Sequence, residues 1–142
     1  MLQLLVILLV IPFSETLLGV IGGEQSVAVT GNLLCNGRPA GGVKLKLYDV
    51  NTFTIDNFLD EQYSNATGGF FLRGHEKSIS TIDPKLNVYH KCNYNGLCYK
   101  KLAIRIPQSY VGSDYYDSYP FNVGTIELAG RYSGQSTDCI NK

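Results

Sequence analysis

An all-β, antiparallel sandwich stapled by disulfides is the fold class this sequence predicts. Three observations carry it: short apolar runs alternating with period two, turn residues set between those runs, and four cysteines downstream of an apolar leader. At 142 residues the chain suits one domain and is too short for two ordinary ones.

The leader comes first. Leu2 to Phe13 are almost wholly apolar, but the run falls short of the roughly 20 residues a membrane-spanning helix needs. It reads as a secretory signal over residues 1–22, with Gly22 at the cleavage position and a sandwich domain over residues 23–142. Its one atypical feature is the absence of Lys or Arg before Arg38. Charges balance at twelve against twelve, and removing the leader deletes Glu15 alone. A nearly neutral domain has no bulk field to attract nucleic acid. In an oxidising compartment the four cysteines imply two disulfides, with three connectivities open. Zinc is the competing reading, but Cys92 and Cys98 with one nearby His are not a metal-ligand spacing, so no metal and no cofactor is expected.

The strands follow in order. Val27, Val29, Gly31, Leu33 and Cys35 alternate with polar or small residues, and Asn36-Gly37-Arg38-Pro39 supplies the turn. Val43, Leu45 and Leu47 then face a core while Lys44, Lys46 and Tyr48 face water. Asn51 to Glu61 keeps no strict period and reads as a loop feeding a short strand near Gln62. Asn65-Ala66-Thr67-Gly68-Gly69 is a turn, and Phe70 to Leu72 return from it. Asn65 also heads an Asn-Ala-Thr glycosylation sequon, placed on an exposed turn tip. Leu86, Val88, His90 and Cys92 share one strand face, and Cys98, Lys100, Leu102, Ile104 and Ile106 share a face of the next.

That parity sets Cys92 across a hairpin from Cys98, which predicts their disulfide and leaves Cys35 with Cys139 by elimination. The last strand runs from Pro120 to Ala129. Phe121 and Val123 have odd parity, Ile126 and Leu128 even, so a β-bulge near Gly124 is required to keep both pairs in the core.

The Gly37-Arg38-Pro39-Ala40 turn, the strand Val43-Lys44-Leu45-Lys46-Leu47-Tyr48-Asp49, the Ile82-Asp83-Pro84 element and Tyr89-His90-Lys91-Cys92 together resemble the secreted transthyretin-like family of nematodes. The resemblance covers about Val27 to Leu128. It implies a prealbumin-like sandwich of seven to eight strands, extracellular, in a family whose members mostly lack an assigned activity. The wider superfamily includes a hormone carrier and 5-hydroxyisourate hydrolase. In the hydrolase a catalytic His lies seven residues before the Gly of Gly-x-Pro-Ala, where this chain has Thr30. Gly69 stands where the enzyme carries an Arg, and the enzyme's terminal Tyr-Arg-Gly-Ser is replaced by Arg131-Tyr132-Ser133-Gly134. A hydroxyl cannot replace an imidazole base near neutral pH, so no enzyme is expected. Hormone carriage requires a tetramer channel, for which no residue argues.

Two surface features remain. Lys91, Lys101 and Arg105, with Lys100, form a small basic group that reads as a solvated sheet face or as electrostatic support for binding. Tyr115, Tyr116 and Tyr119, beside Tyr110, form a tyrosine-rich loop that either shields the core's end or makes contacts, since Tyr offers large area at low entropy cost. His90 reads as a structural histidine held within its hairpin. The function these features imply is binding of an extracellular protein or cell-surface receptor. The first alternative is binding or bridging of an anionic lipid such as phosphatidylserine at cell surfaces, each nearby cation contributing about 1 kcal/mol, and the second is a diverged hydroxyisourate hydrolase-like enzyme.

Overall fold

The computed structural model describes residues 22–114 and 118–141. The leader reading, residues 1–22, therefore falls almost wholly outside the described residues, as do Tyr115 and Tyr116. Strands build the domain in this order: β1 (Gly23–Cys35), β2 (Arg38–Pro39), β3 (Lys44–Asp49), β4 (Asn57–Tyr63), β5 (Gly69–Ser78), β6 (Pro84–His90), β7 (Tyr99–Arg105), β8 (Phe121–Glu127) and β9 (Ser136–Asp138). A 3₁₀ turn at Gln108–Tyr110 follows β7. Seven of these are full strands and two are short, which agrees with the expected sandwich.

One sheet centres on β1, flanked by β5, β8 and the short β2; the other runs β4-β3-β6-β7-β9. Core side chains come from alternate positions, as the period-two pattern requires: Val27, Val29 and Leu33 on β1, Leu45 and Leu47 on β3, Phe70 and Leu72 on β5, Leu86 and Val88 on β6. Asn36 and Gly37 both take positive φ in the two-residue turn joining β1 to β2, the geometry for which Asn-Gly is favoured. Glu127 clamps that turn, accepting the Asn36 amide at 3.0 Å and the Gly37 amide at 2.6 Å.

β1 and β8 run parallel, the one departure from antiparallel pairing among the described ladders. It arises because the chain crosses from β7 in one sheet to β8 in the other. The register slips between Thr30 and Asn32, opposite Gly124 at φ +77°, which is the bulge the parity argument required. Gly31 sits at that slip because a Cβ there would lie 2.5 Å from Val123 Cγ2 and 2.7 Å from the Phe70 ring.

Two boundaries differ from expectation. β4 begins at Asn57 and β5 continues to Ser78, each longer than the apolar pattern implied. Both are edge strands with one solvated face, so polar residues occupy positions a central strand would fill with apolar ones.

The disulfide connectivity is the clear correction. Cys35 bonds Cys92, and Cys98 bonds Cys139, rather than Cys92 with Cys98 and Cys35 with Cys139. The β6–β7 ladder ends at His90 paired with Lys100, before the cysteines. There the chain turns, with Tyr94 donating to the Lys91 carbonyl at 3.1 Å and Asn93 at φ +53°, and Cys92 passes inward to meet β1 of the other sheet. Cys98 is carried to β9, where Tyr99 pairs with Asp138 and the next positions outward are Cys98 and Cys139. One bond thus ties the two sheets together; the other ties the C-terminal segment to β7.

Candidate binding surfaces

The outer face of the five-stranded sheet presents Lys44, Lys46 and Tyr48 from β3, Lys85, Asn87 and Tyr89 from β6, and Lys101 and Arg105 from β7. Carboxylates meet several of these cations. Lys85 reaches Asp56 at 2.9 Å, Arg105 reaches Asp83 at 2.9 Å, and Lys46 lies 3.6 Å from Glu61. Lys101 acts electrostatically on Asp138, whose carboxyl is held below its usual range chiefly by the backbone amides of Asn141 and Ile140, against the effect of burial. Lys91 is exposed on the turn after β6, with its ammonium 4.9 Å from the Tyr99 ring centre. Arg105 lies at the far end of β7, about 20 Å from Tyr99 at strand rise. Lys91 and Lys101 thus lie toward one end of the β6–β7 pair, and Arg105 lies toward the other.

Asn87 and Tyr89 are buried although they sit on this outer face. The C-terminal segment covers part of it: Asn141 accepts a hydrogen bond from Lys46, and the Cys98–Cys139 bond fixes the segment's base. Burial first, with Tyr48 and Asp138 nearby, pushes the Tyr89 hydroxyl up to about 12 despite the hydrogen bond it accepts from Asn87 at 3.1 Å.

A groove of about 480 Å³ lies where the β7 and β8 edges approach each other. Leu102, Ile104, Phe121, Val123, Ile126 and Tyr132 give it an apolar lining, with Arg105 and Asn122 as polar members. β9 pairs with β7 only over Tyr99–Lys101, and β8 pairs only with β1, so among the described residues Leu102–Arg105 and β8 each have a strand neighbour on one side alone. Arg105 was singled out in the sequence, whereas Phe121, Val123 and Ile126 read there as ordinary core. Tyr119, 87% exposed, precedes β8 by two residues. Arg73 anchors this approach, donating to the Ser118 hydroxyl at 2.8 Å from the outer side of β5. No pattern in the sequence pointed to that contact.

Thr30 and Gly69, the positions where the resembling hydrolase carries His and Arg, do line one concavity, of about 380 Å³, with Gly31, Gln62, Tyr63, Asn65, Phe70 and Phe71. Its lining holds no imidazole, and the Thr30 hydroxyl donates to the Phe70 carbonyl at 2.9 Å. Thr30 is therefore committed to its own sheet.

His90 is 2% exposed, and its Nδ1 accepts the Cys92 amide at 3.1 Å, the within-hairpin role expected of it. Burial, then the Lys100 ammonium across the ladder, lowers its pKa to about 4. At the opposite end of the core Asp49 and Glu76 meet. Burial and the hydrogen bond with Asp49 push Glu76 up to about 7, while Asp49 also accepts the Asp83 amide at 2.8 Å. No group of three or more His, Cys, Asp or Glu residues suited to a metal ion occurs among the described residues.

The geometry is that of a small disulfide-tied β-sandwich module with an open strand-edge groove. A family model described as TTR-52, Transthyretin-like family, matches residues 30–107. Transthyretin-like protein 5 of Caenorhabditis elegans is 39% identical over 142 residues, covering 98% of this chain and 99% of that protein. Transthyretin-like protein 33 of the same organism is 39% identical over 121 residues, covering 83% and 84%. Among solved structures, (S)-allantoin synthase superposes with a TM-score of 0.45 at 15% identity, over 87% of this chain and 47% of that one. The chain belongs to the transthyretin-like family.

Proposed function

We propose that this protein is a secreted binding protein, without catalytic activity, that recognises an extended segment of an extracellular protein or cell-surface partner in the groove between β7 and β8. The observation that carries the reading is the pair of strand edges flanking an apolar groove. An extended peptide laid there would complete backbone hydrogen bonding and place alternate side chains against Ile104, Phe121 and Val123. Tyr119 adds contact area at the groove's entrance, and Arg105, with its Asp83 partner, supplies a polar rim. Two disulfides support an oxidising destination. No helix among the described residues is long and apolar enough to cross a membrane.

The carboxylates beside Lys46, Lys85 and Arg105 weigh against an anionic-lipid role, because a phosphate would have to displace them. The test is selection of peptides from a displayed library on the oxidised domain, followed by competition on Val123→Lys. Selected sequences should alternate apolar residues with period two and lose binding to the variant. Equal binding to both proteins would move the site elsewhere. Liposomes with and without phosphatidylserine, at low and physiological salt, test the lipid alternative: salt-sensitive binding lost in Lys101→Glu would support it over the groove. Turnover of 5-hydroxyisourate above the uncatalysed rate would overturn the non-catalytic reading.

A further inference from the structure

The turn that joins β4 to β5 is built to present one amide nitrogen to solvent. Ser64, just before it, is buried and fixed on both sides: its amide donates to the Val43 carbonyl at 2.9 Å, and its hydroxyl donates to the Ala40 carbonyl at 2.7 Å. The Asn65 amide donates to the Gly69 carbonyl and the Gly68 amide to the Asn65 carbonyl, both at 2.9 Å. Gly68 closes the turn at φ +86°, where a Cβ would lie 2.2 Å from the Leu33 carbonyl oxygen. A type I turn ended by a left-handed glycine meets this description.

Within the turn the Asn65 side chain is oriented through its oxygen alone. Oδ1 accepts the Thr67 hydroxyl at 2.8 Å, the Thr67 amide at 3.1 Å and the Gly69 amide at 2.8 Å. Nδ2 makes no hydrogen bond among the described residues, and Asn65 is exposed. The carboxamide is thus held with its acceptor turned into the protein and its nitrogen unoccupied. The Asn-Ala-Thr order supplies the residues that oligosaccharyl transfer recognises.

A second observation concerns what surrounds that nitrogen. Asn65 lines the concavity of about 380 Å³ together with Tyr63 and Phe71, which are 56% and 48% exposed. Tyr63 precedes Asn65 by two residues, the spacing that keeps side chains on one side of an extended chain. Half-exposed rings beside a sugar attachment point offer apolar faces to the C–H groups of a pyranose.

We propose that Asn65 carries an N-linked glycan and that its first N-acetylglucosamine packs in this concavity against Tyr63 and Phe71. The inference rests on the secretion reading, since the transfer happens in the secretory pathway. The glycan covers the corner where the β4 and β5 edges come together, leaving the β7–β8 groove open.

The experiment expresses the full chain in insect cells, and in parallel residues 23–142 behind an established secretory leader. Protein from the medium is analysed by intact mass before and after peptide-N-glycosidase F, which converts a glycosylated Asn to Asp. Expected is one glycan mass removed by the enzyme, with the Asp at position 65, and no glycan on Asn65→Gln or Thr67→Ala. Secreted protein unmodified at Asn65 would overturn the site. If the borrowed leader alone delivers glycosylated protein, the secretion reading fails while the site stands. For the packing claim, deglycosylation should lower Tm of the wild type by about 3 °C, the scale of one aromatic contact in a domain of this size. In Tyr63→Ser that difference should largely vanish. An equal Tm change in both proteins would overturn the packing.

Discussion

His90 should withdraw stability from this domain as the pH falls. Its ring is buried, its Nδ1 accepts the Cys92 amide, and its Nε2 has no hydrogen-bond partner among the described residues. The neutral ring is therefore the folded form, and protonation would put a charge in the core beside Lys100. The pKa is lowered from 6.5 to about 4 by folding. A depressed folded pKa means that the stability is fully present above the unfolded value and is lost as pH falls from about 6.5 through about 4. Two and a half units at about 1.36 kcal/mol each give a loss of about 3 kcal/mol by pH 4. Glu76 works in the opposite sense. Its raised folded pKa favours the folded state on acidification, with the gain developing as pH falls from about 7. A raw pH profile of the wild type would mix the two. His90→Asn removes the titration while keeping an acceptor near the Cys92 amide, and Glu76 is common to both proteins. Urea unfolding at pH 7.5, 6, 5 and 4 should therefore show wild type losing about 3 kcal/mol relative to His90→Asn, most of it below pH 6. Parallel pH dependences in the two proteins would refute the buried, neutral histidine.

Gly31→Ala should cost about 1–3 kcal/mol in urea unfolding, because the new methyl forces Val123 and the Phe70 ring to shift. Digestion of unreduced protein should release Cys35 linked to Cys92 and Cys98 linked to Cys139, and a peptide joining Cys92 to Cys98 would overturn the connectivity. Replacing Cys98 and Cys139 together by Ser should cost about 4 kcal/mol on the chain-entropy model, and replacing Cys35 and Cys92 the same or slightly more, since loops of 41 and 57 residues differ little logarithmically. Arg73→Met should raise the rate of proteolytic cleavage near Tyr119 by releasing Ser118, measured against unchanged cleavage at the exposed Phe53 loop.

Strands with one face in the core were legible because their pattern is written in adjacent residues. Val43 to Tyr48 and Leu86 to Cys92 announce both period and face, and even the Gly124 bulge followed from parity. Partnership was less legible. Register arithmetic places Cys92 opposite Cys98 only while the ladder lasts, and nothing local shows that it ends at His90. The true partner of Cys98 lies just past β9, whose residues Ser136, Thr137 and Asp138 carry no apolar alternation. The candidate site followed the same rule. Parity put Lys101 and Arg105 on the outer face, but it could not name Asp138 and Asp83, which come from elsewhere in the chain. Phe121 and Val123 read as core because an apolar residue looks the same in sequence whether the strand beyond it is present or absent.

The two disulfides have an order as well as a place. Cys35 bonds Cys92, the next cysteine along the chain, and Cys98 bonds Cys139, the next after it. The loops follow one another and neither encloses the other. A chain oxidised from its N-terminus, each thiol joining the first one to arrive after it, reaches the native pairing without exchange. The bond that locks the two sheets together can close while residues beyond Cys92 are still being made, so the catalyst of oxidation has nothing to undo.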